Sequence, residues 1–391
     1  MIQSKPIAGK FIQFFGVLSA LVVLNACSKS SIDKGTPQTS DMSNGDNSQS
    51  QNAGVLTASE WNDLGNWTFW TDLLGKNNNA AMQSKWGFYT NNRISFQLTN
   101  GSHQALCDVK VDLLLDGKVI FTARTDNKGK AELWANLNAS SNEVDYSKLQ
   151  ISVNNGEATL SNVKPFSQGI NTLSIESAWQ NDNTANISFV IDVTSSMTDE
   201  LKYLKNELYD VIGRIKSNNP QSDVYTSVVF YKDEGDDFVT KKSDFSKDEN
   251  QSINFLKAEE TGGGGDYPEA VHSALDQAVN TLNWSSKAKS RIMFLILDAP
   301  PHADKAVISS LQNSILNAAA KGIKLIPVLA SGADKDAEFS VRLMAMATNG
   351  TFTFLTDDSK KGNQHYQPSV GSYQIEYLNN LMVRLVNSSL Q

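Results

Sequence analysis

Apolar runs too continuous to leave one face in water recur through the second half of the chain: ISFVID (187–192), VYTSVVFY (224–231), DFVTKK (237–242), RIMFLIL (291–297), IKLIPVL (323–329) and TFTFL (351–355). Between them lie segments with apolar residues at helical spacing: MTDELKYLKNELYDVIGRIK, NQSINFLKA, PEAVHSALDQAVNTL, VISSLQNSILNAAAKG, FSVRLMAMAT and YQIEYLNNLMVRLV. Buried strands alternating with helices predict an α/β region at 186–391, a doubly wound, mostly parallel, Rossmann-like sheet covered on both faces. In such sheets, ligand sites form beyond the carboxyl ends of the strands.

Residues 58–182 follow another rule. VKVDLLLDGKVIFTART (109–125), KAELWANL (130–137), LQISVNN (149–155) and NTLSIESAW (171–179) alternate every second residue, with Asp-Gly and Asn-Asn-Gly punctuation. That pattern predicts antiparallel strands joined by tight turns, an all-β sandwich ahead of the α/β region. The stretch DGKVIFTARTDNKGKAELW resembles strands of immunoglobulin-like and carboxypeptidase-regulatory-like β-sandwiches. Trp61, Trp67, Trp70 and Trp86 cluster at its start and are expected in packing, with a sugar-stacking platform as the other use of such faces. The switch of period near 180–186 predicts a multidomain chain whose two parts fold independently.

The first residues are not part of either fold. Lys5 and Lys10 precede the apolar run 11–24, whose helical length of roughly 21 Å falls short of the ~30 Å hydrocarbon core. Residues 1–26 therefore read as a secretory signal, with an uncleaved N-terminal anchor as the alternative. Leu24-Asn25-Ala26-Cys27 resembles a bacterial lipobox, although Asn25 stands where a smaller residue is usual. The resemblance implies an acylated (palmitate-bearing) Cys27 at the mature terminus and a lipoprotein of the cell envelope. Ser28, in place of the Asp that retains some lipoproteins at the inner membrane, favours the bacterial outer membrane. Residues 27–57 are Ser, Asn, Asp, Gln and Gly with few large apolar side chains, the composition of a disordered tether.

Composition narrows the function. The chain has 391 residues, is 40% hydrophobic and carries a net charge of −8, with no basic stripe to neutralise phosphates, which argues against nucleic acid. Of two cysteines, Cys107 has no intrachain partner once Cys27 carries lipid, and it reads as a small buried hydrophobe.

Three polar lips fall where the sheet rule places a site. Asp192-Val193-Thr194-Ser195-Ser196 follows the first buried strand. TGGGGDYPEA (261–270) is a Gly-rich loop opening a helix, and Asp298 ends the RIMFLIL strand. Alternate residues of an extended lip share a side, so Thr194 and Ser196 project alongside Asp192. These are hard oxygens of the kind Mg²⁺ takes in octahedral geometry at about 2.0–2.1 Å. Together the lips resemble the metal-ion-dependent adhesion site of von Willebrand factor type A domains, whose first loop reads D-x-S-x-S; here it reads D-x-T-x-S. The resemblance implies Mg²⁺ or Mn²⁺ held directly by Thr194 and Ser196 and through water by Asp192 and Asp298. It also implies cell adhesion, with a protein or glycan partner supplying the last ligand. In the second loop the family usually has Thr, and Thr261 and Asp266 are the two candidates. Asp266 is also placed to cap the helix near Pro268. If it ligates, three carboxylates face two positive charges, and a hydroxyl or cation-bearing partner is favoured over an acidic one.

Other features carry less. His302 is expected to pack or to rim the site, and His103, His272 and His302 show no zinc spacing. The run KDEGDD (232–237) reads as a solvated turn between two strands, with loose Ca²⁺ binding as the alternative use of its carboxylates. No Gly-Lys-Ser/Thr follows the glycines, so no nucleotide is expected. The resulting reading is a lipid-anchored, non-enzymatic binding protein. Its alternatives are a structural envelope protein with a vestigial site, and a haloacid-dehalogenase-like phosphohydrolase. The latter family resembles D-x-D-x-T, and Thr194 stands where its second Asp would be.

Overall fold

The computed structural model describes residues 53–140, 143–176, 180–361 and 364–391. The expected signal segment, Cys27 and nearly all of the tether lie outside the described residues. Strand β1 (Thr57–Trp61) comes first, followed by helices α1 (Trp67–Leu74) and α2 (Ala80–Trp86). Strands β2 (Arg93–Asn100), β3 (Lys110–Leu115), β4 (Lys118–Arg124), β5 (Lys130–Trp134), β6 (Leu149–Val153), β7 (Ala158–Leu160) and β8 (Asn171–Ile175) form two small sheets, ordered β5-β2-β8 and β4-β3-β6-β7. The Asp116-Gly117 turn joins β3 to β4 as the alternation predicts, with both residues at positive φ. The expectation of an all-β region fails at α1 and α2. Trp67 and Trp70 lie on α1 and Trp86 on α2, where Trp70 and Trp86 are buried. This is helical core packing, and it leaves neither ring free to stack on a sugar.

The second half is a strand–helix alternation: β9 (Asp182–Asp192), α3 (Thr198–Asn218), β10 (Asp223–Tyr231), β11 (Thr240–Lys242), α4 (Glu249–Ala258), α5 (Val271–Asp276), β12 (Ala288–Leu297), α6 (Lys305–Lys321), β13 (Ile323–Leu329), α7 (Lys335–Ala347), β14 (Phe352–Thr356), β15 (Ile375–Tyr377) and α8 (Leu378–Leu390). The sheet order is β11-β10-β9-β12-β13-β14-β1-β15, with β10, β9, β12, β13 and β14 parallel and β11, β1 and β15 antiparallel to their neighbours. Burial on both faces explains the unbroken apolar runs, as in Phe189, Val190 and Ile191 of β9. The chain leaves β9 for β10 on one side and later returns to β12 on the other. The crevice beyond the carboxyl ends of β9 and β12 is therefore a topological switch point.

The boundary expected at 182–186 does not isolate this sheet. Strand β1 pairs with β14 from Thr57↔Thr356 to Trp61↔Phe352 and with β15 from Thr57↔Tyr377 to Ser59↔Ile375. The segment entering β1 is clamped from α3, where the Glu207 carboxylate accepts the backbone N–H groups of Gly54, Val55 and Leu56 at 2.9, 2.7 and 3.1 Å. Just beyond β1, Asp63 receives both Nε and Nη2 of Arg342, at 2.9 and 2.6 Å, and Arg342 also pairs with Glu338. Arg342 is 0% exposed, so this fork is fully desolvated. Asp108 likewise takes Nη1 and Nη2 of Arg291 on β12 at 2.7 and 3.2 Å. The described residues lie in one compact unit. The period of the sequence changes at 182, but the hydrogen bonding does not stop there.

Residues 186–391 alone are accordingly expected to lack a cooperative melt, because β1 is missing from the sheet and Arg342 keeps a buried charge without Asp63. In the full chain, Asp63→Ala should cost about 3–5 kcal/mol, the range for removing one partner of a buried ion pair. Urea denaturation reads both, and a cooperative transition in the fragment would overturn the coupling.

Candidate metal centre

Asp192 ends β9 and is 0% exposed. Its Oδ1 accepts the Thr194 backbone N–H at 2.9 Å and the Thr194 hydroxyl at 2.6 Å, an Asx-type turn that bends the chain off the strand. The Thr194 and Ser196 hydroxyl oxygens stand 3.1 Å apart, with Ser196 hydrogen-bonded to Asp298. Asp298 follows β12 directly, as β12 lies beside β9 in the sheet. Asp192, Thr194, Ser196 and Asp298 therefore meet at the switch point.

The second loop departs from expectation at both candidate residues. Thr261 turns to Thr198, with the two hydroxyl oxygens 2.8 Å apart, on the flank of α3. Asp266 lies instead with Asp233 and His302, all three ligand atoms falling within 4.8 Å of one another. The carboxylate this loop brings to the first lip is Glu269. Its backbone N–H bonds Pro300 O at 3.0 Å, and a β-bridge pairs it with Pro301, tying the second loop to the third. No spacing signal in the sequence marks Glu269, because the Pro300 contact that positions it is non-local.

The glycines have a steric reason. Gly263 and Gly264 adopt φ of +81° and +77°. A Cβ on Gly263 would lie 2.3 Å from the Asp236 carboxylate, and one on Gly264 would lie 3.0 Å from Glu269 Oε1 and 3.1 Å from Thr194 Cβ. The loop docks by its backbone: Gly262 N–H donates to Val193 O, and Ser195 donates its N–H and hydroxyl to Gly263 O.

Four buried carboxyl groups converge here. Burial, then the Asp298 charge, pushes Asp192 up to about 7, and burial pushes Asp298 up to about 6 against its Ser196 hydrogen bond. Glu269 is raised to about 9 by burial and by Asp192, Asp233, Asp298 and Asp236. Glu200 on α3, hydrogen-bonded to Ser331, is raised to about 7, chiefly by burial, with Asp298 adding to it. Asp192 Oδ2, Asp298 Oδ1, Glu269 Oε2 and Glu200 Oε2 are all buried with no hydrogen-bond partner among the described residues. Unpartnered buried acceptors are rare and costly. A divalent cation satisfies several at once, so the donor set fits the hard ion expected from the lips.

Residues 186–338 match the family model described as von Willebrand factor A domain, a span that holds all three lips. That match supports a von Willebrand factor A domain in this part of the chain, a kind of module typical of protein interaction rather than of catalysis. An ariadne-like RING finger protein of Acanthamoeba polyphaga mimivirus is 26% identical over 122 residues, covering 31% of this chain and 12% of that protein. A crystal structure of the conserved hypothetical protein BatB from Bacteroides thetaiotaomicron aligns over 53% of this chain and 98% of that one, at 12% identity and a TM-score of 0.36.

The raised carboxyls set a pH dependence. Folded Asp192 and Asp298 hold protons that the unfolded chain releases near pH 4, so the folded state binds more protons from about pH 4 to 7. Their contribution to stability then falls as pH rises through that window. Melting in chelator at pH 5 and 8, compared with Asp192→Asn, should show a larger loss of Tm at pH 8 for the wild type. Mg²⁺ should restore that loss at pH 8 and do little at pH 5. A wild-type profile parallel to that of Asp192→Asn would contradict the burial argument.

Proposed function

We propose that this chain is a cell-envelope lipoprotein, acylated at Cys27 and held at the outer membrane, whose von Willebrand factor A domain grips a protein or glycan through one Mg²⁺ or Mn²⁺. The observation that carries the metal is the set of four buried carboxyl groups, each with an unpartnered oxygen, at one topological switch point. Asp192, Thr194, Ser196, Asp298 and Glu269 would hold the ion, with Glu269 in the role the sequence assigned to Thr261 or Asp266. When bound, the cation supplies a Lewis-acidic position that takes an oxygen ligand from the partner. The protein's own residues orient that position and bury it against the sheet.

Glu269 bears on what the partner offers. With Asp192, Asp298 and Glu269 facing two positive charges, the centre keeps a negative balance. Asp233, Asp236 and Asp266 extend that charge outward. A partner carboxylate meets repulsion there, and a hydroxyl or carbonyl oxygen carried beside a basic group does not. Tyr267, 42% exposed, rests its hydroxyl against the Asp298 and Gly332 carbonyls at 3.4 and 3.3 Å, leaving an aromatic surface at the rim. Such a surface suits a sugar face or a basic side chain.

Calorimetric titration with Mg²⁺ and Mn²⁺ tests this reading. One site is expected in the wild type, weakened by Asp192→Asn, Thr194→Ala, Ser196→Ala and Asp298→Ala, and altered by Glu269→Gln. Thr261→Ala should bind as the wild type does. The absence of binding in the wild type would leave a structural envelope protein with a vestigial site. For anchorage, Cys27→Ser should abolish fatty-acid labelling and membrane retention.

A further inference from the structure

The Gly-rich loop brings Asp266 to a second group of ligand atoms beside the first lip, and this group has a different chemistry. Asp233 and His302 meet at 2.8 Å through Oδ1 and Nε2, and an Asp266 carboxylate oxygen completes a trio within 4.8 Å. A His–Asp contact alone is an ordinary ion pair. The surroundings do not fit that reading. Asp266 adds a further carboxylate to the same spot, while Lys232, the adjoining cation, is committed to Asp237 at 2.8 Å. Buried Glu269, 3% exposed, feels the charges of Asp233 and Asp236 as well as those of Asp192 and Asp298, so this group and the first lip share one negative field. His272 lies close enough for the two imidazoles to repel, and its Nδ1 is buried without a partner among the described residues.

We propose that Asp233, Asp266 and His302 form a second cation site that takes a borderline transition metal such as Zn²⁺. An imidazole and carboxylates are ligands Zn²⁺ accepts, whereas Mg²⁺ holds to oxygen and water. Tetrahedral Zn²⁺ at about 2.0–2.2 Å from each ligand needs ligand atoms about 3.3 Å apart. The His302–Asp233 pair, at 2.8 Å, opens by only about 0.5 Å to reach that spacing as the proton between them gives way to the ion. Asp266 is exposed, on a loop with glycines at positive φ, and starts within 4.8 Å of both other ligand atoms. The linear spacing of the histidines carries no such sign, because the trio comes from three separate loops.

The site does not depend on Mg²⁺ at the first lip, so it can be tested with that lip disabled. The probe is Zn²⁺ added to the full chain without a histidine tag, in the Asp192→Asn background. One Zn²⁺ should bind there, and adding His302→Ala should weaken it by at least the roughly 10–100-fold known for outer-shell changes, since a direct ligand is lost. His302→Ala alone should keep the wild-type response to Mg²⁺. The ring nitrogens of the four histidines provide a readout that needs no variant to fold: Zn²⁺ should shift His302 and leave His103 and His365 in place. An unmoved His302 ring, or unchanged Zn²⁺ affinity in the double variant, overturns the proposal. Zn²⁺ binding without any Mg²⁺ binding would instead refute the first metal centre and leave this one standing.

Discussion

Carboxylates buried together are the constraint around which this end of the molecule is arranged. Asp192 and Asp298 sit on adjacent parallel strands, so the sheet itself forces their charges together. Glu269 and Glu200 arrive from a loop and a helix and add to the same field. Desolvation and like charge both favour the neutral acids, and a divalent ion reverses that preference. The surrounding backbone serves this geometry: the Asx-type turn at Thr194, the positive-φ glycines and the Pro300 hydrogen bond each hold one wall of the crevice.

The sheet that carries the crevice is completed from the N-terminal side of the chain. Strand β14 would present an open edge if β1 did not cover it, and β1 in turn pairs with β15. Glu207 connects this arrangement to the crevice, because it lies on α3, the helix that starts just after the first lip. The chain thus enters the domain through a strand of the main sheet.

The comparison between expectation and structure separates by the range of the forces involved. Strands β9, β10, β12, β13 and β14 were legible because two-sided burial demands apolar residues at every position. The segment YQIEYLNNLMVRLV reads as one helix, yet Ile375–Tyr377 is a strand, since the free edge of β1 offers pairing that helical periodicity does not anticipate. Helices α1 and α2 were not anticipated, although the tryptophans they carry pack as expected, with Phe339 and Arg342 against Trp70.

Local chemistry alone determined the first lip: Asp192, Thr194 and Ser196 need only an extended turn to share a side, and Asp298 needs only a strand to end. Those residues, the parallel sheet and the von Willebrand factor A resemblance could all be read from the linear chain. Tertiary structure decided the rest. It sent Thr261 to Thr198, turned Asp266 toward Asp233 and His302, and placed Glu269 at the lip through Pro300. It also drew β1 into a sheet whose other members begin more than a hundred residues later. Each of these depends on contacts between residues distant in sequence, where no periodicity or spacing rule reaches.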